Sequence, residues 1–446
     1  MRREPLAERR TQGEQTADHI EGLIPILDAV RSGRAGTRTE LAKVTGLGRN
    51  AVAQRVTQLM ESGLLVEGGP RRSTGGRAPR ALRFPAEAGR ILVAELGATS
   101  IGAGVSDLEG SLLAHHEEPA DVTEGPVHVL ARVVELYREL LGGLEEGVPV
   151  WGIGIGLPGP VEFATGRPVA PPIMPGWDGF HVRAFFAERF DAPVWVDNDV
   201  NVMALGELRA GLARGHRDVV YIKIGTGIGA GLISHAALHR GAEGCAGDIG
   251  HVTAEESSAV VCRCGKYGCL EALAGGAALA RDGILAAREG RSTFLAQALD
   301  QGRSVDASTV SEAAAHGDPV AIDLLAGSAR LVGQTIASFV NLFNPSLILV
   351  GGGVSESGDF YLAEVRRTVL GRSLPLATRS LQISRSPLAD RAGMRGAAHM
   401  VMDELLSPQL LGTWLPVGNP AGNHRADGRA TVDPTGQSGY HSRRSG

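Results

Sequence analysis

Gly247-Asp248-Ile249-Gly250-His251, followed by Cys262-Arg263-Cys264-Gly265-Lys266-Tyr267-Gly268-Cys269-Leu270-Glu271, is the stretch on which the reading of this chain turns. It holds three of the 4 cysteines, with a histidine just upstream. Soft sulfur and imidazole in one short span make a tetrahedral zinc set. His251, Cys262, Cys264 and Cys269 are the expected ligands, and Cys245 competes for the fourth place. Gly265 and Gly268 let the loop turn tightly enough for Cys264 and Cys269 to face one ion. The alternatives are three ordinary buried thiols or a disulfide. No signal peptide and no apolar run long enough to span a membrane is evident. A reducing, cytoplasmic setting without a membrane partner is therefore expected, which disfavours the disulfide. The set leaves no open coordination position, so the metal reads as structural. It would pin the loop that presents Asp248, His251 and Glu271.

Upstream of this knuckle the charge is unevenly spread. The 446-residue chain carries −5 overall, yet Arg31 to Arg90 holds 12 Arg/Lys against 4 Asp/Glu. A basic block on an acidic body points to a polyanion partner for that block. Residues 1–18 read as a polar, mobile tail. His19–Arg31 has an apolar helical face. Thr37 with Glu40 three residues on is a capping box that opens a short helix, Leu41–Thr45. After the Gly46-Leu47-Gly48 turn, a third helix runs from Arg49 to about Ser62. Val52, Val56 and Leu59 form its buried face, which leaves Arg49, Asn50 and Gln54 outside. Such side chains at the start of an exposed helix read base edges in the major groove. A two-stranded wing follows, its tip carrying Arg77 and Arg80, suited to phosphates or a narrow minor groove. Residues 19–84 therefore read as a winged helix-turn-helix module.

Beyond a short link, Ile91–Leu96, Ile101–Ser106 and Ser111–His115 read as strands, Pro126–Leu141 as a helix and Val150–Gly156 as a buried strand. Phe180–Phe190 is expected to be helical, Val194–Val196 a strand and Asn201–Ala213 a helix. The pattern then restarts with Val219–Ile224 and Ala230–Ser234 around a glycine turn. Helices are expected at about Ala277–Arg288, Val310–Ala315 and Pro319–Phe343. A strand at Ser346–Val350 closes on Gly351-Gly352-Gly353, and a last helix spans Arg391–Leu405. This is an internal duplication of an α/β unit, whose natural product is two lobes with a cleft between them. Lobe one is placed at about 90–200 plus 385–406 and lobe two at about 201–384. Residues 407–446 are rich in Gly, Pro, Asn, Arg and Ser and read as a disordered tail.

Two motifs carry chemistry. Gly225-Thr226-Gly227-Ile228-Gly229 is followed by apolar strand residues, so it is not a dinucleotide fingerprint, which would open a helix. A glycine hairpin between strands still offers N–H groups to phosphate oxygens. Asp197-Asn198-Asp199 ends a buried strand, where ligands collect in such folds. A carboxylate there can take the proton of a sugar hydroxyl attacking a phosphoryl group, although Asn198 or Asp199 could equally just cap the next helix.

Together these motifs resemble the ROK family of repressors, open reading frames and sugar kinases. The resemblance runs through Leu157-Pro158-Gly159-Pro160, Asn198-Asp199, Gly227–Leu232, Gly241, Gly247, Gly250-His251, the cysteine knuckle with Leu270-Glu271, Asn344-Pro345 and Gly351-Gly352. It covers about Arg90–Leu405. The preceding module extends it to the winged-helix regulator branch, that of the xylose and N-acetylglucosamine repressors. The resemblance implies an actin-like ATPase (duplicated ribonuclease H-like) fold with sugar in the interlobe cleft. It implies that Asn198, Asp199, Asp248, His251 and Glu271 hold sugar hydroxyls, and that Asp199 is the catalytic base of a kinase. It also implies that Gly225, Thr226 and Gly227 form the second phosphate loop, with Gly351 and Gly352 on the adenosine side.

Departures from the family pattern separate two readings. Family kinases carry Asp-x-Gly-Gly-Thr in the first phosphate loop, usually with a cation after it. This chain has Glu95-Leu96-Gly97-Ala98-Thr99-Ser100. Ala98 adds a Cβ where bare backbone should approach phosphate, and Asp248 stands where the family usually has Glu. A sugar-responsive transcription regulator, most simply a repressor acting on operator DNA as a homodimer or homotetramer, is favoured. The alternative is an ATP- and Mg²⁺-dependent sugar kinase. A scaffold with both sites degenerate is a third reading, opposed by the retained Asn198, Asp199 and Glu271.

Overall fold

A computed structural model describes residues 20–70, 80–388 and 391–420. The tail expected over 1–18, Arg77 at the wing tip and everything beyond 420 lie outside the described residues.

The N-terminal module is built from α1 (Ile24–Arg31), α2 (Arg38–Thr45), α3 (Arg49–Glu61), β1 (Val66–Pro70) and β2 (Arg80–Arg83), the two strands pairing antiparallel. The expected first helix is broken: a turn from Ile20 to Leu23 precedes α1, whose first turn contains Pro25. Proline has no N–H and its ring crowds the preceding turn, so a continuous helix is interrupted there. Thr37 caps α2 by accepting the Glu40 N–H at 3.2 Å. The Glu40 carboxylate reaches back to the Gly36 N–H at 2.8 Å, one residue earlier than a capping box predicts. On α3, Val52, Val56 and Leu59 are buried, and Arg49, Asn50 and Gln54 are exposed.

The body contains two five-stranded sheets of the same design. The first is ordered β5-β4-β3-β6-β9, from β3 (Arg90–Leu96), β4 (Ser100–Ser106), β5 (Leu112–Pro119), β6 (Val150–Leu157) and, after the two-residue strands β7 (Val161–Glu162) and β8 (Arg167–Pro168), β9 (Val194–Asn198). The second is ordered β12-β11-β10-β13-β14, from β10 (Val219–Ile224), β11 (Ile228–Ser234), β12 (Ala237–His239), β13 (Leu347–Gly351) and β14 (Gln382–Arg385). In each, the first three strands form an antiparallel meander, the fourth joins the first in parallel and the fifth joins the fourth in parallel. The duplication is thus a repeat of topology. The helices are α4 (Pro126–Gly142), α5 (Val182–Ala187), α6 (Asp199–Ala210), α7 (Leu270–Ala274), α8 (Gly276–Arg288), α9 (Thr293–Asp300), α10 (Ala307–Ala315), α11 (Pro319–Phe343), α12 (Asp359–Arg372), α13 (Pro375–Thr378), α14 (Arg391–Leu405) and α15 (Pro408–Trp414).

Some expectations need correction. The helix expected at Phe180–Phe190 is only α5. Helix α9, capped by Ser292, was not expected. The tail expected from 407 begins instead with α15: Ser407 caps it, and Leu411 and Trp414 are buried, Trp414 edge-on to Trp151 at 5.4 Å between ring centroids. An apolar run of membrane-spanning length does exist. Helix α11 has 25 residues and a window of mean hydropathy 1.2, but half of that window is buried in the protein. Its Leu325, Val332, Ile336 and Val340 fill the core of the second lobe.

Helix α6 lies between the two sheets and packs on α14, β6 and β11 rather than belonging to lobe two alone. It crosses α14 closely because Gly206 and Gly396 face each other's helix: a Cβ at either would collide with the Ala392 or Val202 carbonyl oxygen. One buried cluster runs from Leu23, Leu27 and Leu59 of the N-terminal module through Met402, Leu405 and Trp414 to Val202 and Leu205 of α6. The N-terminal module therefore shares a core with the helices between the lobes.

Candidate functional site

A cavity of about 700 Å³ separates the lobes. Asn198, Asp199, Asp248, His251 and Glu271 all line it, together with Gly225, Thr226, Gly227 and Gly352. Gly351 ends β13 just behind it.

The end of β9 and the first residue of α6 supply three consecutive polar side chains, each pinned by a different partner. Asp197 is buried; it accepts the Asn201 amide at 2.9 Å and pairs with Arg240 at 2.7 Å. Asn198 is the N-cap of α6: its oxygen accepts the Val200 and Asn201 N–H groups and its Nδ2 donates to the Gly159 carbonyl at 2.9 Å. The capping alternative is therefore real, but the same residue also faces the cleft. Asp199 Oδ1 accepts the Val200 N–H at 2.9 Å, and Oδ2 receives the Lys223 ammonium at 2.8 Å.

Lys223 was not anticipated. It sits in β10, and its Nζ also lies 3.7 Å from Glu95 Oε1 on β3. Burial works to lower its pKa, but Asp199 and Glu95 together raise it above the ordinary lysine range, so it stays charged. Its signal was available: a lysine inside the otherwise apolar run Val219-Val220-Tyr221-Ile222-Lys223-Ile224. Among the described residues lining the cleft it is the one Lys or Arg, against seven carboxylates: Glu95, Glu117, Asp199, Asp248, Glu271, Asp306 and Glu356.

The glycine hairpin is already engaged. Glu271 Oε2 accepts the Ile228 N–H at 3.1 Å, and a Cβ on Gly227 would collide with that same oxygen. The first amides of α8 donate to the Gly225 and Thr226 carbonyls. Two features do not suit a nucleotide's phosphates: an N–H of the loop goes to a carboxylate, and the one lysine lining the cleft among the described residues is taken up by Asp199 and Glu95.

The knuckle is folded by Gly265 and Gly268, at φ 86° and 66°, with the Cys262 N–H donating to the Lys266 carbonyl at 2.7 Å. His251 Nδ1 lies 3.6 Å from Cys262 Sγ, and Cys264 Sγ lies 3.8 Å from Cys269 Sγ. All four ligand atoms fall within 4.8 Å of one another. A tetrahedron with bonds of about 2.3 Å to sulfur and about 2.0 Å to nitrogen has edges of about 3.5–3.8 Å, so the set fits one zinc ion. Cys245 is exposed and is not part of this group. With Nδ1 turned to the thiols, His251 Nε2 faces Asp248, 4.0 Å away.

The family model for the ROK family matches residues 92–404. The chain belongs to the ROK family. It is 29% identical over 385 residues to a xylose repressor of Caldicellulosiruptor bescii, covering 86% of this chain and 95% of that one. A solved ROK transcriptional regulator, a homolog of the E. coli MLC protein, superposes with TM-score 0.73 at 24% identity, covering 89% of this chain and 99% of that chain. A ROK glucokinase from Streptomyces griseus, solved with glucose and AMPPNP, gives TM-score 0.60 at 33% identity over 70% of this chain and 99% of that chain.

Within this ROK chain, Arg49, Asn50 and Gln54 share the exposed face of α3, apart from the cleft. Arg80 is exposed but ion-paired to Glu67 across the wing strands.

Proposed function

We propose that this chain is a transcriptional repressor that binds operator DNA through its winged helix and is controlled by a sugar or sugar derivative in the interlobe cleft. The observation that carries this reading is the Lys223 bridge. The carboxylate that a kinase would keep available as its base is held by an ammonium, in a cleft rich in carboxylates and poor in cations. A sugar hydroxyl can still donate to the remaining lone pairs of Asp199, and Asn198, Asp248, His251 and Glu271 surround it. Phosphoryl transfer instead needs positive charge at the phosphates. In a kinase, Gly225, Thr226, Gly227, Gly351 and Gly352 would cradle ATP and Mg²⁺.

Zinc on His251, Cys262, Cys264 and Cys269 fits as a structural ion with no open position, fixing the loop that presents His251 and Asp248. Arg49, Asn50 and Gln54 would enter the major groove, with Arg77 and Arg80 on the wing, in a homodimer or homotetramer matched to a two-fold operator. The setting would be cytoplasmic, where the thiols stay reduced.

The sugar acts as a switch only if it binds the off-DNA state more tightly, and a tenfold shift needs about 1.4 kcal/mol of difference. The test is operator affinity by fluorescence anisotropy at fixed salt, with and without D-xylose, D-glucose and N-acetylglucosamine. A sugar that binds the protein and leaves DNA affinity unchanged would overturn the reading. The kinase reading is supported by the 33% identity to a glucokinase. It predicts sugar-dependent ADP release that Asp199→Ala abolishes.

A further inference from the structure

We propose that helix α6 is the element that couples the cleft to the DNA reader, with Asp403 of α14 as the positioning residue at its far end. The proposal rests on the regulator reading for its purpose, but the wiring is argued from contacts alone.

Helix α6 has 12 residues and spans about 18 Å. Its first residue is Asp199, held by Lys223 from lobe two. Its second, Val200, lies against β11, where a Cβ on Gly231 would stand 2.7 Å from the Val200 carbonyl oxygen. The N-terminal end therefore registers the position of lobe two and any ligand that competes for Asp199.

At the other end, Glu207 is fully buried. It accepts the Ser386 hydroxyl at 2.5 Å, the Leu388 N–H at 3.4 Å and the Leu212 N–H at 2.9 Å. Ser386 and Leu388 belong to the segment that leaves β14 and leads to α14, the chain's return from lobe two to lobe one. One turn from the same end, Arg209 bonds Asp403 of α14 through Nη2 at 2.7 Å and Nε at 3.2 Å. Met402 and Leu405, on either side of Asp403 along α14, share one buried core with Leu23 and Leu27 of the reader. Between the two ends, the Gly206–Gly396 crossing leaves no slack, so α6 and α14 shift together.

Asp403 thus sits where the body's coupled helices meet the reader's first helix. Its bridge is partly exposed, with side chains 42% and 32% accessible, so it adds little to stability and a variant will fold. What it sets is the position of α14 against α6, which α1 follows through the core it shares with Met402 and Leu405.

Hydrogen exchange on the full-length, zinc-loaded protein tests this without any ligand. Asp199→Asn weakens the hold at the cleft end. It should change exchange of the α1 amides by about threefold or more, and the same substitution in an Asp403→Asn background should leave them unchanged. No effect on α1, or an equal effect in both backgrounds, overturns the proposal. A second arm uses whichever of D-xylose, D-glucose or N-acetylglucosamine raises the Tm. Asp403→Asn should keep sugar and DNA affinity within about twofold yet lose the sugar's effect on DNA affinity. A full sugar response in that variant overturns the proposal. If no sugar on the panel binds, the regulator reading loses its support, while the exchange arm still decides the coupling.

Discussion

Replacing Lys223 by Met would remove the one Lys or Arg among the described lining residues and leave Asp199 and Glu95, both on lobe one, without the cation they share. At an effective dielectric of about 20, a charge pair at 2.8 Å is worth about 6 kcal/mol and one at 3.7 Å about 4.5 kcal/mol before desolvation is counted. Desolvation of the ammonium takes back much of that gain. Breaking a buried pair by deleting one partner costs about 3–5 kcal/mol. The Lys223 side chain keeps 20% of its surface exposed, against 7% for Asp199 and 13% for Glu95, which argues for the lower end, about 3 kcal/mol. The assay is urea unfolding of zinc-loaded protein followed by tryptophan fluorescence. The double variant Asp199→Asn/Lys223→Met should be less destabilised than Lys223→Met alone, because it no longer confronts two buried carboxylates. In the single variant, a carboxyl that takes up a proton more readily when folded than when unfolded binds more protons in the native state, so the deficit should narrow as pH falls from about 7 to about 5. A loss below about 1 kcal/mol, or a deficit that ignores both the second substitution and pH, would refute the assigned triad.

Metal analysis should find one zinc per chain. Removal by a strong chelator should lower the Tm and weaken sugar binding, and Cys264→Ser should reproduce both effects without chelator. Gly227→Ala drives a methyl into the Glu271 carboxylate and should abolish the sugar-induced rise in Tm while leaving DNA affinity intact, as calorimetry and anisotropy would show. Arg49→Ala should weaken operator binding by about 1–3 kcal/mol if it reads a base, and relax specificity at one position. Burial, with the nearby Arg31 and Arg209 charges, pushes His399 down to about 3. Its folded pKa lies below that of the unfolded chain, so the unfolded state binds more protons between the two values. Stability is therefore lost as pH falls from about 6.5 toward about 3, by a few kcal/mol at most, and His399→Gln should flatten that part of the acid-denaturation curve.

Local chemistry made the linear pattern informative. The cysteine spacing, the glycine-rich hairpin, the Thr37 cap and the period of Val52, Val56 and Leu59 each act over a few residues, and each emerged where the sequence placed it. Pro25 cutting the first helix and Ser407-Pro408 starting another were equally local but were read less well. The first follows from proline's missing N–H; the second is held by the packing of Trp414 against Trp151.

The sequence by itself determined most of the elements, the family motifs and the ligand types, because backbone propensity, apolar period and donor chemistry are properties of short segments. Only the tertiary structure decided that Lys223 from one lobe meets Glu95 and Asp199 on the other, that Glu271 fills the glycine hairpin, and that α6 packs on α14 and shares a core with the N-terminal module. Those facts join residues tens to hundreds of positions apart. Burial there lowers the local dielectric and makes each charge depend on its partner, and no local pattern encodes which partner that will be.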